Sequence, residues 1–330
     1  MQCKQIQFVA PGGPEVLSLV NGEVAAPEAG QVLIKVSYAG VNGPDIAQRK
    51  GLYPAPPGAS DILGLEVSGT VVAVGESVTQ WQVGDLVCAL VPGGGYSEYV
   101  VTWADHCLPI PSGVTLAQAA GLPETFFTIW GHLFMRGVLK EGETLLVHGG
   151  SGGIGSAAIA LAKQFGARVI ATCGSQEKCD YCLGLGADFA FNYREDWLTQ
   201  VLEVAPQGVD VVLDMASGDM INLNLQALAM EGRLVTIALQ RGATANVDVF
   251  RLMSKRLTWT GATLRPQSVE AKAAIAQALV ETVWPLFAKS ENSALIPQVF
   301  AQFPLDQVTK AHQLMESGQH RGKILLAVAP

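Results

Sequence analysis

Charge is scarce in this chain: Asp, Glu, Lys and Arg make up 15% of its 330 residues, and aromatic residues only 7%. Basic residues are the scarcer sign, 21 Lys and Arg against 29 Asp and Glu, for a formal charge of −8 and a pI near 5.2. That balance argues against nucleic acid or an anionic membrane surface as the main partner. No apolar run reaches the roughly 18 residues needed to cross a bilayer, so no spanning helix and no membrane partner are expected. The opening residues, MQCKQIQFVAPGG, lack a basic start followed by an apolar stretch. No secretory signal is read there, and the expected compartment is the cytoplasm. Cysteine is sparse as well. Cys3, Cys88, Cys107, Cys173, Cys179 and Cys182 show no framework spacing, which fits reduced thiols. Cys179 and Cys182 form a C-x-x-C, but no second Cys or His pair is placed to complete a zinc site. They read as two ordinary cysteines, with a redox or adventitious metal role as the alternative.

What is abundant is apolar residue, 49%, and glycine, 36 residues. The length suggests two domains at roughly 150 residues each. The first third is β-rich: QIQFVA, QVLIKVSY, EVSGTVVAVG, VGDLVCAL and GYSEYVV are short Val-rich runs set off by Gly and Pro. Such runs predict a barrel or sandwich. After about residue 115, strands alternate with helices: ETLLVHG, a helix over 154–166, RVIAT, a helix from Ser175 to about Leu185, DFAFNY, a helix over 195–203, VDVVLDM, a helix over 219–230, RLVTIAL, and LTWTGATL. This alternation predicts parallel β-α-β units. The tail predicts a long amphipathic helix over 268–287, another over 304–317, and a last strand, KILLAV. That strand has no neighbour in the α/β series and is expected to return to the first domain.

The sharpest local signal is Gly149-Gly150-Ser151-Gly152-Gly153-Ile154-Gly155. Gly150, Gly152 and Gly155 fit G-x-G-x-x-G between a buried strand and a small-residue helix, the context a dinucleotide site requires. The alternative is a plain strand–helix turn. The second strand of the series ends Ala171-Thr172-Cys173-Gly174-Ser175, without the acid that usually holds an NAD ribose. Ser175 and Lys178 stand there instead, so NADPH is the expected cofactor; Lys178 as an ordinary solvated helix residue is the other reading.

The order of domains, with PGGPEVL, GVNGPDIAQRKGLYPAPPGASDILGLEVSG, PGGGYSEYV, LPETFFTIW, GGSGGIG, GSQEK, FNYRED and GKILL, resembles the zinc-free quinone oxidoreductase branch of the medium-chain dehydrogenase/reductase superfamily. The resemblance implies a GroES-like catalytic domain over 1–122, a Rossmann doubly wound parallel-sheet domain binding NADP over 123–267, and a segment over 268–330 that returns to the catalytic domain. Zinc alcohol dehydrogenases carry Cys where this chain has Asn42, and G-H-E where it has Gly64-Leu65-Glu66, so no metal site is expected. A quinone or activated alkene is then the expected acceptor.

The resemblance also implies roles. Asn42 would face the nicotinamide and substrate, Asp45 would shape the pocket, and Tyr53 would hydrogen-bond or protonate a substrate oxygen. Thr128 would touch the nicotinamide end, and Ser151, Gly152, Gly153 and Ile154 would cradle the pyrophosphate. Ser175, Lys178 and Tyr193 would surround the 2′-phosphate, and Leu239, Leu264 and Arg265 would close over the nicotinamide. Read as ordinary structure, Asn42 is a turn residue, Asp45 a helix cap, Thr128 buried filler, and Tyr53 and Tyr193 packing. The implied activity is zinc-independent NADPH:quinone reduction. The alternatives are an alkenal, enone or enoyl-thioester double-bond reductase, and an NADPH-binding structural or regulatory protein. A homodimer is expected, paired through the edge strand RLTWTGATL.

Overall fold

The computed structural model describes residues 1–289 and 294–328. In chain order the first elements are β1 (Gln2–Gln7), β2 (Ser18–Glu23), β3 (Gln31–Val41), α1 (Gly43–Arg49), β4 (Glu66–Val74), β5 (Leu86–Leu90), β6 (Tyr99–Trp103), β7 (Cys107–Pro109), α2 (Leu116–Ala119) and α3 (Pro123–Ile129). The alternating series follows: β8 (Thr144–His148), α4 (Gly153–Gln164), β9 (Arg168–Cys173), α5 (Gln176–Gly184), β10 (Phe189–Asn192), α6 (Trp197–Val204), β11 (Val209–Asp214), α7 (Met220–Ala227), β12 (Leu228–Thr236), α8 (Val249–Ser254) and β13 (Thr258–Gly261). Last come α9 (Val269–Ala278), β14 (Val299–Pro304), α10 (Val308–Ser317) and β15 (Lys323–Ala327).

Two compact units result, Met1–Phe127 with Arg265–Pro330, and Thr128–Leu264. In the first unit, a sheet runs β14-β15-β3-β4-β5-β7, with β6 also on β3, and β1 and β2 form a separate hairpin. The C-terminal strand β15 lies antiparallel to β3, pairing Ile324 with Val41 and Leu325 with Gly40. This is the return of the last strand that its lack of an α/β neighbour predicts. The inner faces of these strands, with Val32, Ile34, Val36, Val67, Val71, Val87 and Ile324, make the unit's core.

The second unit is a six-stranded parallel sheet in the order β10-β9-β8-β11-β12-β13. From β8 the chain adds β9 and β10 on one side and then β11 to β13 on the other, so the end of β8 is the switch point where α/β sheets bind ligands. Its central strands carry near-continuous buried apolar runs because helices cover both faces.

Three expected elements differ in extent. The helix read over 219–230 ends at Ala227, and β12 starts at Leu228. Glu231, at φ 61°, and a register shift against β11 carry the irregular start of that strand. The strand expected through 239 stops at Thr236. The single long helix read over 268–287 is three pieces: α9, a π turn over Leu279–Val283 and a 3₁₀ turn over Trp284–Ala288. Pro285 has no N–H to continue the α ladder, which enforces the break.

Candidate functional site

In the Thr128–Leu264 unit, β8 delivers the chain into the glycine loop. Gly149 turns at φ 65°, and Gly150 N–H donates to Thr172 O on β9 at 3.0 Å. A Cβ on Gly150 would stand 2.8 Å from Ala171 Cβ and 3.0 Å from Cys182 Sγ. A Cβ on Gly155 would overlap Gly149 O and stand 2.6 Å from Gly150 Cα. These two glycines are therefore fixed by packing. Gly152 is different: a Cβ there meets nothing nearer than 3.6 Å. It caps α4 with no side chain on the free N–H groups. The open start of a twelve-residue helix is a ready anion site, through unpaired donors and the helix dipole. Ser151 is buried and Ile154 half-buried beside it.

At the end of β9, Ser175 caps α5 by accepting from Lys178 N–H at 3.4 Å. Tyr193 N–H donates to Cys173 O at 2.9 Å, and its phenol lies where a Gly174 side chain would go, 2.5 Å from that Cβ position. Ser175, Lys178 and Tyr193 are thus gathered at one strand end, with Tyr193 45% exposed. Thr128 is buried, its carbonyl accepting from or lying against His132 Nδ1 at 2.7 Å. Leu264 is buried and Leu239 exposed. His148 is a satisfied strand residue, bound to Thr172 Oγ1 at 2.8 Å and Asn224 Oδ1 at 2.7 Å. The C-x-x-C pair is buried, and Cys182 Sγ lies 3.3 Å from Cys173 Sγ, a neighbour that the C-x-x-C spacing did not reveal.

The first unit gathers the other expected residues. Asn42 follows β3 and caps α1. Its Nδ2 donates to Glu66 Oε1 at 2.8 Å and its Oδ1 accepts from Lys323 Nζ at 2.7 Å. Lys323 also pairs with Glu66 at 2.5 Å, and both are at least 96% buried at the side chain. Asp45, expected to shape the pocket or to cap α1, does the latter. It has no exposed surface, and its carboxylate accepts from Asn42 N–H at 2.8 Å, Gly64 N–H at 2.9 Å and Tyr96 Oη at 3.2 Å. It holds the Asn42 turn in place. Burial pushes its carboxyl up to about 6.

Tyr53 is half-buried. Arg265, expected over the nicotinamide, sits against the Tyr53 ring at 5.9 Å in this same unit. It donates to Pro92 O at 2.8 Å and Gln48 Oε1 at 2.7 Å. Sequence reasoning gave no role to Lys323, Glu124 or Glu66. The motif GKILL held the signal for Lys323, and LPETFFTIW the signal for Glu124. Zinc does not fit this donor set: Leu65 is apolar, and the Asn42 amide is committed to Glu66 and Lys323. Among the described residues no three His, Cys, Asp or Glu side chains converge as metal ligands.

Residues 28–112 match the alcohol dehydrogenase GroES-like domain, and residues 153–279 the zinc-binding dehydrogenase family. The quinone oxidoreductase of Lama guanicoe is 33% identical over 96% of this chain and 94% of its own. The human quinone oxidoreductase is 32% identical over the same shares. Among solved structures, the Escherichia coli quinone oxidoreductase complexed with NADPH superposes with a TM-score of 0.83 at 29% identity, over 98% of this chain and 100% of that one. Two domain matches in the same order and full-length relatives above 30% identity place the chain in the quinone oxidoreductase branch of the medium-chain dehydrogenase/reductase superfamily.

Proposed function

We propose that this protein is an NADPH:quinone oxidoreductase that works without a metal ion. The observation that carries the reading is the strand-end pair of sites in the nucleotide unit. An open α4 N-terminus suits a pyrophosphate, and an acid-free end of β9 with Ser175, Lys178 and Tyr193 suits a 2′-phosphate. Gly150 to Gly155 would hold the pyrophosphate; Thr128, Leu239 and Leu264 would border the nicotinamide. Bound NADPH supplies a hydride. The chain's own residues do the rest: Asn42, pinned by Glu66 and Lys323, fixes one wall of the acceptor pocket, and Tyr53 offers a phenolic hydrogen bond to the acceptor oxygen. With no Lewis-acid donor set, catalysis rests on holding donor and acceptor in reacting geometry, which suits acceptors as electrophilic as quinones.

Turnover with menadione and each nicotinamide tests the reading. A kcat/KM higher with NADPH than with NADH is expected, and the reverse order overturns the cofactor assignment. We further place the protein in the cytoplasm as a homodimer. β13, one of the two outer strands of the parallel sheet, presents exposed Thr258 and Trp259 and would pair with its twin across a two-fold axis.

A further inference from the structure

Arg265, which opens the last stretch of the first unit, is 7% exposed, and its guanidinium is fixed from two sides. Nε donates to Pro92 O at 2.8 Å and Nη1 to Gln48 Oε1 at 2.7 Å. The backbone is held as well: Lys272 Nζ on α9 donates to Arg265 O at 2.7 Å. The Pro92 loop leaves the group its room, because a Cβ on Gly93 would stand 3.1 Å from Nη2. Nη2 itself is buried with no hydrogen-bond partner. Asp45 on α1, Glu124 on α3 and Asp61 attract the guanidinium, but none of them bonds to Nη2. What the guanidinium does meet is the Tyr53 ring, its central carbon 5.9 Å from the ring centroid. A cation withdrawn from water against an aromatic face is held there more firmly than an exposed one. Tyr53 needs such a hold. It lies in residues 50–65, which form no helix or strand between α1 and β4, and Leu52 before it is exposed. Gln48 ties that loop at its far end, where Nε2 donates to Asp61 O at 2.8 Å. No hydrogen bond holds the phenol among the described residues, so the guanidinium is its polar anchor.

We propose that Arg265 is the positioning residue of Tyr53: the clamped guanidinium fixes the phenol ring in the attitude from which its hydroxyl meets the acceptor oxygen. The proposal rests on the quinone reductase reading, in which Tyr53 donates a hydrogen bond to that oxygen. Arg265 then acts on the acceptor through Tyr53 and not on the nicotinamide. Arginine suits this task better than lysine. Its planar fork commits two N–H groups to Pro92 and Gln48 and still turns a cation towards the ring, whereas an ammonium is a point charge on a flexible stem. The contact has a chemical side too. Burial and Glu124 push the Tyr53 phenol up, and Arg265 draws it back down. A cation beside the phenol therefore makes its hydroxyl the stronger donor to the negative charge that develops on the reduced acceptor.

Arg265→Met, Tyr53→Phe and the double variant test this as a cycle. With menadione, Arg265→Met should lower kcat about as far as Tyr53→Phe does, while NADPH affinity by fluorescence stays within about twofold. In the Tyr53→Phe background the same change should alter kcat by less than about twofold, because the hydroxyl it acts through is gone. Arg265→Lys, which keeps the charge without the fork, should fall between Arg265→Met and wild type, and it carries the same cycle where Arg265→Met does not fold. An ultraviolet titration, referenced to Tyr53→Phe, should find the Tyr53 phenol less acidic in Arg265→Met. A kcat loss of equal size in both backgrounds, or a phenol whose titration does not move, overturns the proposal. A large loss of NADPH affinity returns Arg265 to the nicotinamide and overturns it too. A wild-type protein that binds NADPH yet reduces no quinone removes the activity assigned above, while the phenol titration still decides whether Arg265 acts on Tyr53.

Discussion

Single side chains divide here into those that hold and those that meet substrate. Tyr53→Phe should lower kcat for a quinone severalfold and leave NADPH affinity unchanged; equal turnover would take the phenol out of the chemistry. Asp45→Ala should act on stability instead. It strands the N–H groups of Asn42 and Gly64, each costing about 1–3 kcal/mol when left buried without an acceptor. Melting should fall by several degrees, and a melting point within one degree of wild type would deny the carboxyl its holding role. Sequence alone placed Asn42, Asp45 and Tyr53 near one another, since they share a loop and a helix. It could not show that Asp45 faces inward, because a residue at the third helical position reads equally as a cap or a pocket wall. Nor could it join Asn42 to Lys323, 281 positions away, or Glu66 to Lys323, 257 away. Such partnerships exist only once the tail strand has paired with β3.

At the scale of elements, the glycine loop was legible because its requirements are local. A strand, three spaced glycines and a helix are one continuous stretch of chain, and close backbone approach forces those residue types. Gly155→Ala should therefore reduce NADPH affinity by at least about tenfold, because its Cβ meets Gly150 and Gly149 backbone that cannot give way. Retained affinity in a titration by nucleotide fluorescence would contradict that geometry. Periodicity misjudged the element that follows Arg265. An apolar stripe continued through residues 279–287, but stripes report which face is buried and not whether Pro285 permits an α ladder beneath it. The reading over 219–230 erred for a related reason: Leu228, Ala229 and Met230 are good helix formers, yet Leu228 already pairs with Val209 of β11 and opens β12.

For the whole molecule, three buried titrating groups set opposing pH trends. His312 is pushed down to about 3 by burial and by Arg49, so the folded chain stays neutral where the unfolded one takes a proton. The stability this contributes is complete above about 6.5 and is lost as pH falls towards 3. Asp45 and Glu124 act the other way. Folded values of about 6 and about 8 exceed the ordinary 3.8 and 4.5, so protons are held that the unfolded chain releases, and stability declines as pH rises through those windows. Relative to wild type, Glu124→Gln should gain melting temperature steadily from about pH 5 to pH 8 and level off above. A difference independent of pH would show that the carboxyl titrates alike in both states. Light scattering addresses assembly: a dimer is expected, and a monomer at micromolar concentration would refute pairing through β13.

The place of β15 inside the sheet, between β14 and β3, has a consequence for biogenesis. During synthesis the nucleotide-holding half can fold as soon as its own residues emerge, since its sheet closes within one uninterrupted span. The other half must wait with the edge of β3 open until β15 has been made, and only then does Lys323 reach Asn42. A chain stopped before Lys323 would therefore leave the ribosome with one finished lobe and one exposed, adhesive strand, the kind of nascent product that chaperones and proteases sort.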